Sequence, residues 1–220
     1  MALLMMIRHG RTSGNSSGRF IGQHDEWLDE EGERQAALLV PMLTRFNPDR
    51  VISSDLKRCT QTMAPFAEAS GMMIETDPGL REVGDGEWTN MSPEELWAGW
   101  PDLMERYANG EDVPRPGGER WADVRRRVLA SVSRIVGEMG PDDKVVICTH
   151  AGPSMLISSW VTGTELPGNI FLGQFRPPSN AAITMIDPHP PALISYNETC
   201  HLSANARVLG GRGSGVALIR

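Results

Sequence analysis

The sequence predicts an α/β protein, a three-layer α/β/α sandwich around a mostly parallel central sheet. Three observations carry that reading. Short apolar runs alternate along the chain with longer stretches of helical periodicity. The runs at 2–7 and 145–148 are continuously hydrophobic, as strands buried on both faces are. Both stop on a histidine, His9 and His150. With 220 residues, 40% of them hydrophobic, the chain can bury an ordinary core, so residues 1–201 are read as one domain, with a lid at 88–116.

The elements follow in order. Residues 2–7 form a strand halted by Arg8-His9-Gly10. "GERQAALLVPMLTRF" at 32–46 is a helix. "DRVISSDLKRCTQTMAPFAEASG" is strand, turn and helix: Val51 and Ile52 are apolar, Ser54 is a candidate cap, Cys59, Met63, Phe66 and Ala67 recur at helical spacing, and Gly71 stops the helix. "SPEEL" at 92–96 is a capping box with proline at the first helical position. Residues 120–140 carry Trp121, Val124, Val128, Val132 and Ile135 along one stripe, an amphipathic helix ending in glycine. "DKVVICTHAGPSMLISSWV" repeats the opening logic: a strand to Thr149, a histidine, a glycine turn, and a helix whose start Pro153 marks. "AAITMID" and "ALISYN" read as a closing pair of strands. Residues 202–220, rich in Gly and Arg, read as a flexible tail.

Composition narrows the function. A formal charge of −7 argues against nucleic acid or an anionic membrane as partner, since both need a basic surface. Cys59, Cys148 and Cys200 are odd in number and widely spaced, suggesting neither a disulfide framework nor a structural zinc site, and fit a reducing cytoplasm. The opening apolar run is too short to span a bilayer. No metal-binding, P-loop or dinucleotide signature appears, so no cofactor is expected. The expected partner is a small phosphate ester, and a homodimer is compatible with the sequence.

In open α/β sheets ligands bind beyond the carboxyl ends of the strands, and Arg8-His9, residues 53–58 and Thr149-His150 all lie just past strand ends. Two histidines and two arginines can thus meet in one pocket. A phosphomonoester needs positioned positive charge, which arginine forks supply; Arg8 and Arg58 are the candidates. Arg58 also sits in the first turn of a helix, whose amide end favours anions. His150, if protonated, adds a donor. Neutral His9 can attack phosphorus, with nearby arginines depressing its pKa. Glu82, in a loop near Trp88, is the candidate proton donor to the leaving alkoxide, partial burial raising its carboxyl pKa, and then the base on water.

"RHGRTSGN" at 8–15 resembles the R-H-G-x-T-x-x-N signature of the histidine phosphatase superfamily, also called the phosphoglycerate mutase-like family. "GRFIGQHDEWLDEEGERQA", "ISSDLKRCTQT", "LREVGDGEW", "RPGGER" and "VVICTHAG" resemble further blocks of that family, in order. The resemblance implies a doubly wound α/β fold and a metal-free mechanism. By it His9 is phosphorylated, Arg8, Arg58 and His150 hold the phosphate, Glu82 donates the proton, and Asn15 is a further phosphate contact. Where the family commonly has T-H-G-G, this chain reads Thr149-His150-Ala151-Gly152. Ala151 can still donate its backbone N–H unless the position demands positive φ. Arg11 and Ile21 stand where many relatives have glutamate and glutamine.

The segment around Glu82 resembles the phosphatase branch, and 88–116 lacks an arginine-rich insert, so hydrolysis is favoured over a cofactor-dependent mutase and over an inactive phosphate-binding module. Trp88, Trp97, Trp100 and Tyr107 either line the pocket or pack the 88–116 segment onto the domain. Asp85 and Glu87 rival Glu82 as the acid. Asn15 can instead cap a turn, and His24, His189 and His201 read as exposed or structural. Cys148 reads as buried and inert. Residues 14–18, "GNSSG", match a nucleophile-elbow pattern but lack the strand before and the helix after, and read as a flexible loop.

Overall fold

The computed structural model describes residues 1–202. β1 (Leu3–Arg8), β2 (Arg50–Ser53), β3 (Ile74–Thr76), β4 (Lys144–Thr149), β5 (Ile183–Pro188) and β6 (Pro191–Glu198) form one sheet in the order β3-β2-β4-β1-β5-β6. The first four are parallel, and β5 and β6 close the sheet antiparallel. Side chains alternate across a strand, and the core divides accordingly. Leu4, Met6, Ile52, Val145 and Ile147 pack on one layer; Met5, Ile7, Val51, Val146 and Cys148 pack on the other.

The second of these layers is α2 (Glu30–Phe46) and α3 (Lys57–Ser70), which contribute Leu39, Leu43, Cys59, Met63 and Phe66. The first is α6 (Trp121–Gly137) and α7 (Ala151–Thr162), joined by residues of α4 (Pro93–Gly99) and α5 (Pro101–Ala108). The Trp121, Val124, Val128, Val132 and Ile135 stripe is buried throughout. The capping box at Ser92 forms as read, Glu95 returning to accept from the Ser92 N–H at 2.6 Å. Trp88 and Tyr107 are fully buried with Leu96 and Met104, so apolar burial fixes the 88–116 segment to the rest of the chain.

Several local readings change. Residues 13–17 are not loop but a short helix, α1 (Ser13–Ser17), because Thr12 and Asn15 form a reciprocal capping box. Ser54 does not cap α3; Leu56 occupies that position without a side-chain cap, and Ser54 Oγ instead bonds His150. There is no glycine turn after His150: α7 begins at Ala151 and Gly152 lies in its first turn. β3 and α5 are additional, β3 being three residues that find their strand state only by pairing with β2. Leu202, read as the start of the tail, is buried in the core; the rest of that segment lies outside the described residues.

β2, β4 and β1 are neighbours and parallel, so their carboxyl ends open on one edge of the sheet. That adjacency places the site.

Candidate active site

Arg8, His9, Asn15, Arg58, Glu82 and Ala151 line one cavity at that edge. His9 is 4% exposed, and its Nδ1 lies 2.7 Å from the carbonyl oxygen of Gly10. A carbonyl only accepts, so Nδ1 carries the hydrogen and Nε2 keeps its lone pair. Burial first, then Arg58 and Arg8, hold the imidazole well below its ordinary pKa of 6.5, so it is neutral at physiological pH.

Arg8 leaves β1 directly and is buried; one terminal nitrogen donates to Pro178 O at 2.6 Å, and Nε is buried without a partner. Burial pushes its pKa down to about 10, which leaves it charged. Arg58 is 2% exposed and donates through Nε to His150 Nδ1 (3.2 Å) and through its terminal nitrogens to His24 O (2.8 Å) and Gly22 O (2.7 Å). Three of five N–H groups are thereby fixed, leaving two for a ligand.

His150 stands 5.1 Å from His9, ring centre to ring centre, but off the cavity wall. Arginine can only donate, so His150 Nδ1 accepts from Arg58 and its Nε2–H donates to Ser54 Oγ at 2.8 Å. Burial and the neighbouring Arg58 keep it neutral, against the expectation of a protonated donor. In this arrangement it aims Arg58. Asn15 Oδ1 accepts from Thr12 N (3.1 Å) and from Asn180 Nδ2 (2.9 Å), which occupies the oxygen and leaves the NH2 of this cavity-lining residue to a ligand; capping and ligand contact are therefore compatible. Ala151 has no positive φ, and heads a twelve-residue helix whose amide end borders the cavity.

Glu82 Oε1 accepts from Val83 N (2.9 Å) and Oε2 from Gly152 N (3.1 Å). A Cβ on Gly152 would sit 2.5 Å from Glu82 Oε1 and 2.7 Å from Trp121, so only glycine lets the carboxylate approach α7 this closely. The backbone around Glu82 is held from outside. Arg127 donates to the carbonyls of Gly79 (3.0 Å), Arg81 (2.6 Å) and Glu82 (2.7 Å), and its Nε and one terminal nitrogen donate to Glu119, whose Oε2 also accepts from Gly84 N at 2.8 Å.

Of the rival acids, Asp85 also lines the cavity, 3% exposed and 3.0 Å from Arg115 Nε; Glu87 does not line it. Nor do Trp88, Trp97, Trp100 and Tyr107; the aromatic wall is Phe20, Trp121 and Phe171. Asn180, Arg115 and the Arg127–Glu119 pair escape sequence reasoning, though Arg115 and Glu119 lie in the "RPGGER" block. Among the described residues no three His, Cys, Asp or Glu side chains gather as a metal site, and no helix is long and apolar enough to cross a membrane.

The comparisons with known proteins agree with this geometry. The sequence profile described as "Histidine phosphatase superfamily (branch 1)" matches residues 4–197. The chain belongs to that superfamily. It is 33% identical to the glucosyl-3-phosphoglycerate phosphatase of Mycolicibacterium vanbaalenii over 176 residues, 77% of this chain and 78% of that one. It is 29% identical to phosphoserine phosphatase 1 of Hydrogenobacter thermophilus over 205 residues, 92% and 95% of the two chains. A solved mycobacterial glucosyl-3-phosphoglycerate phosphatase, complexed with VO3, superposes with a TM-score of 0.78 at 27% identity, covering 90% of this chain and 99% of that one. The six-stranded, mostly parallel sheet is thus that of the histidine phosphatase superfamily, and these relatives are phosphatases by name.

Proposed function

We propose that this protein hydrolyses a small phosphomonoester through a phosphohistidine on His9. One observation carries the reading: the Gly10 carbonyl fixes the His9 tautomer so that an unprotonated Nε2 is available in a cavity that also presents Arg8 and Arg58. Nε2 attacks phosphorus in line, the P–O ester bond breaks, and the electron pair leaves with the alkoxide, which takes its proton from Glu82. The Arg8 guanidinium, the two free N–H groups of Arg58, the Asn15 amide and the Ala151 N–H receive the phosphoryl oxygens. Glu82 then deprotonates water, which attacks phosphorus and releases phosphate and free His9. His150 keeps the Arg58 fork aimed by accepting from its Nε.

The substrate is a small phosphate ester, as it is by name for the relatives. The buried free thiols Cys59 and Cys148 fit a reducing compartment, and we place the enzyme in the cytoplasm. The test is phosphate release from p-nitrophenyl phosphate and from a panel of sugar phosphates, phosphoglycerates, nucleotides and phosphoamino acids. Alkaline quenching should trap a base-stable, acid-labile phosphoenzyme that His9→Ala cannot form. Turnover by that variant would overturn the reading.

A further inference from the structure

Beside the phosphoryl end, the cavity wall holds a charged pair that the mechanism does not use. Asp85 and Arg115 are each 3% exposed, and both line the cavity. Arg115 Nε lies 3.0 Å from Asp85 Oδ1, yet at an angle that makes no hydrogen bond, and both atoms are buried without a hydrogen-bond partner. Removing two charges from water is strongly unfavourable unless their hydrogen-bonding capacity is met. Buried polar groups in folded proteins are almost always satisfied, so an unsatisfied pair calls for an explanation.

The two partners differ in freedom. Arg115 is boxed in: its guanidinium carbon lies 5.0 Å from the Trp121 ring centre, 5.5 Å from that of Tyr107 and 5.6 Å from that of Trp88, and it donates to Glu119 O at 3.0 Å. These contacts fix the cation. The Asp85 side chain accepts no hydrogen bond from any described residue. Its Oδ2 sits under Gly22, where a Cβ would come within 2.8 Å, and the carbonyl of that same Gly22 accepts from Arg58. The carboxylate is therefore one residue away from the phosphate-binding fork and short of donors; burial pushes its pKa up to about 6 and Arg115 opposes that rise, which leaves it mostly ionised at neutral pH.

Resting on the phosphatase reading above, we infer that Asp85 is a specificity residue for the leaving alcohol: it selects phosphate esters carrying a hydrogen-bond donor, hydroxyl or ammonium, next to the ester carbon. A polyol or amino alcohol supplies the donor Asp85 lacks. A plain alkyl group enters the same space and leaves the carboxylate unpaired, the kind of mismatch that discriminates strongly.

The experiment compares kcat/KM for ethyl, 2-hydroxyethyl, 2-aminoethyl and carboxymethyl phosphate. The readout is the ratio of each to ethyl phosphate, so a general loss of rate cancels. The wild-type enzyme should favour the hydroxyethyl or aminoethyl ester over ethyl phosphate on the order of ten-fold or more. The hydroxyethyl arm and the aminoethyl arm separate neutral from cationic donors. Asp85→Asn should bring the favoured ratio to within about three-fold of unity, and Asp85→Ser, which removes the charge without adding bulk, should do the same if the first variant folds poorly. Equal kcat/KM for all four esters, a preference for the carboxymethyl ester, or a donor preference that survives both substitutions overturns the inference. Wild-type enzyme that leaves p-nitrophenyl phosphate intact overturns the phosphatase reading, and the inference with it; aryl turnover without donor preference sinks the inference alone.

Discussion

Arg8, His9 and Arg58 reach the cavity from the end of β1 and the first turn of α3, whereas Glu82, Asp85 and Arg115 reach it from two loops packed against each other. The strand-end group is placed by sheet hydrogen bonds: β1 pairs with β4 on one side and β5 on the other. The loop group is placed by side chains clamping main chain, above all Arg127 and Glu119 on residues 79–84. The difference teaches which part carries general chemistry. On the proposed reading, nucleophile and phosphate ligands, needed for every ester, sit on the sheet edge, and proton delivery and leaving-group contact, which depend on the ester, sit where sequence can vary without disturbing the sheet.

The comparison breaks if strand-end and loop substitutions act alike. His9→Ala should have the largest effect, a loss on the order of 10⁴-fold or more in kcat on aryl and alkyl phosphates equally, with circular dichroism unchanged. Arg58→Ala should cost roughly 10²–10³-fold in kcat/KM, again on both. Glu82→Gln should split the substrates: about 10²-fold or more on ethyl phosphate, but under about ten-fold on p-nitrophenyl phosphate, whose leaving group scarcely needs a proton. Equal losses would make Glu82 structural. Arg127→Ala should show the same split more weakly, about ten-fold on ethyl phosphate, because it loosens the loop rather than removing the acid.

The smallest expected effect is on stability. His9 and His150 are kept neutral by burial and the arginines, so the unfolded chain binds protons below about pH 6.5 that the folded chain refuses. Stability is therefore full above that value and falls as pH drops below it, by up to about 1.4 kcal/mol per pH unit for each histidine. Denaturant unfolding between pH 7 and 5 should show this slope, and His150→Asn should remove about one proton from it. An unchanged slope would mean that His150 titrates freely.

The strand-end half was legible because a buried apolar run stopped by charge and imidazole is a local signal, and parallel strands bring such ends together. Arg8, His9 and Arg58 are found where that logic puts them, on one cavity, and Ala151, read from the family resemblance, borders it too, whereas His150 stands behind the wall. What His150 does was not legible: its protonation depends on contacts with Arg58 and with Ser54, 96 positions away, and although both lie in the "ISSDLKRCTQT" block, nothing in that block shows that they turn toward His150. The loop half was legible only as far as Glu82. Asp85 appears in the sequence as one acid among three, and its pairing with Arg115 exists only once residues 84–87 and 116–119 exchange backbone hydrogen bonds. β3 and α1 escaped for a similar reason, each being too short to show a period.

The position of β1 has a further consequence for motion. Flanked on both sides by paired strands, its amides can exchange with deuterium only when the sheet itself comes apart, so they should rank among the slowest in the molecule. His9 sits one residue beyond that strand, its own N–H bonded to Thr149 O at 2.9 Å. The proposed nucleophile thus inherits the quietest backbone available.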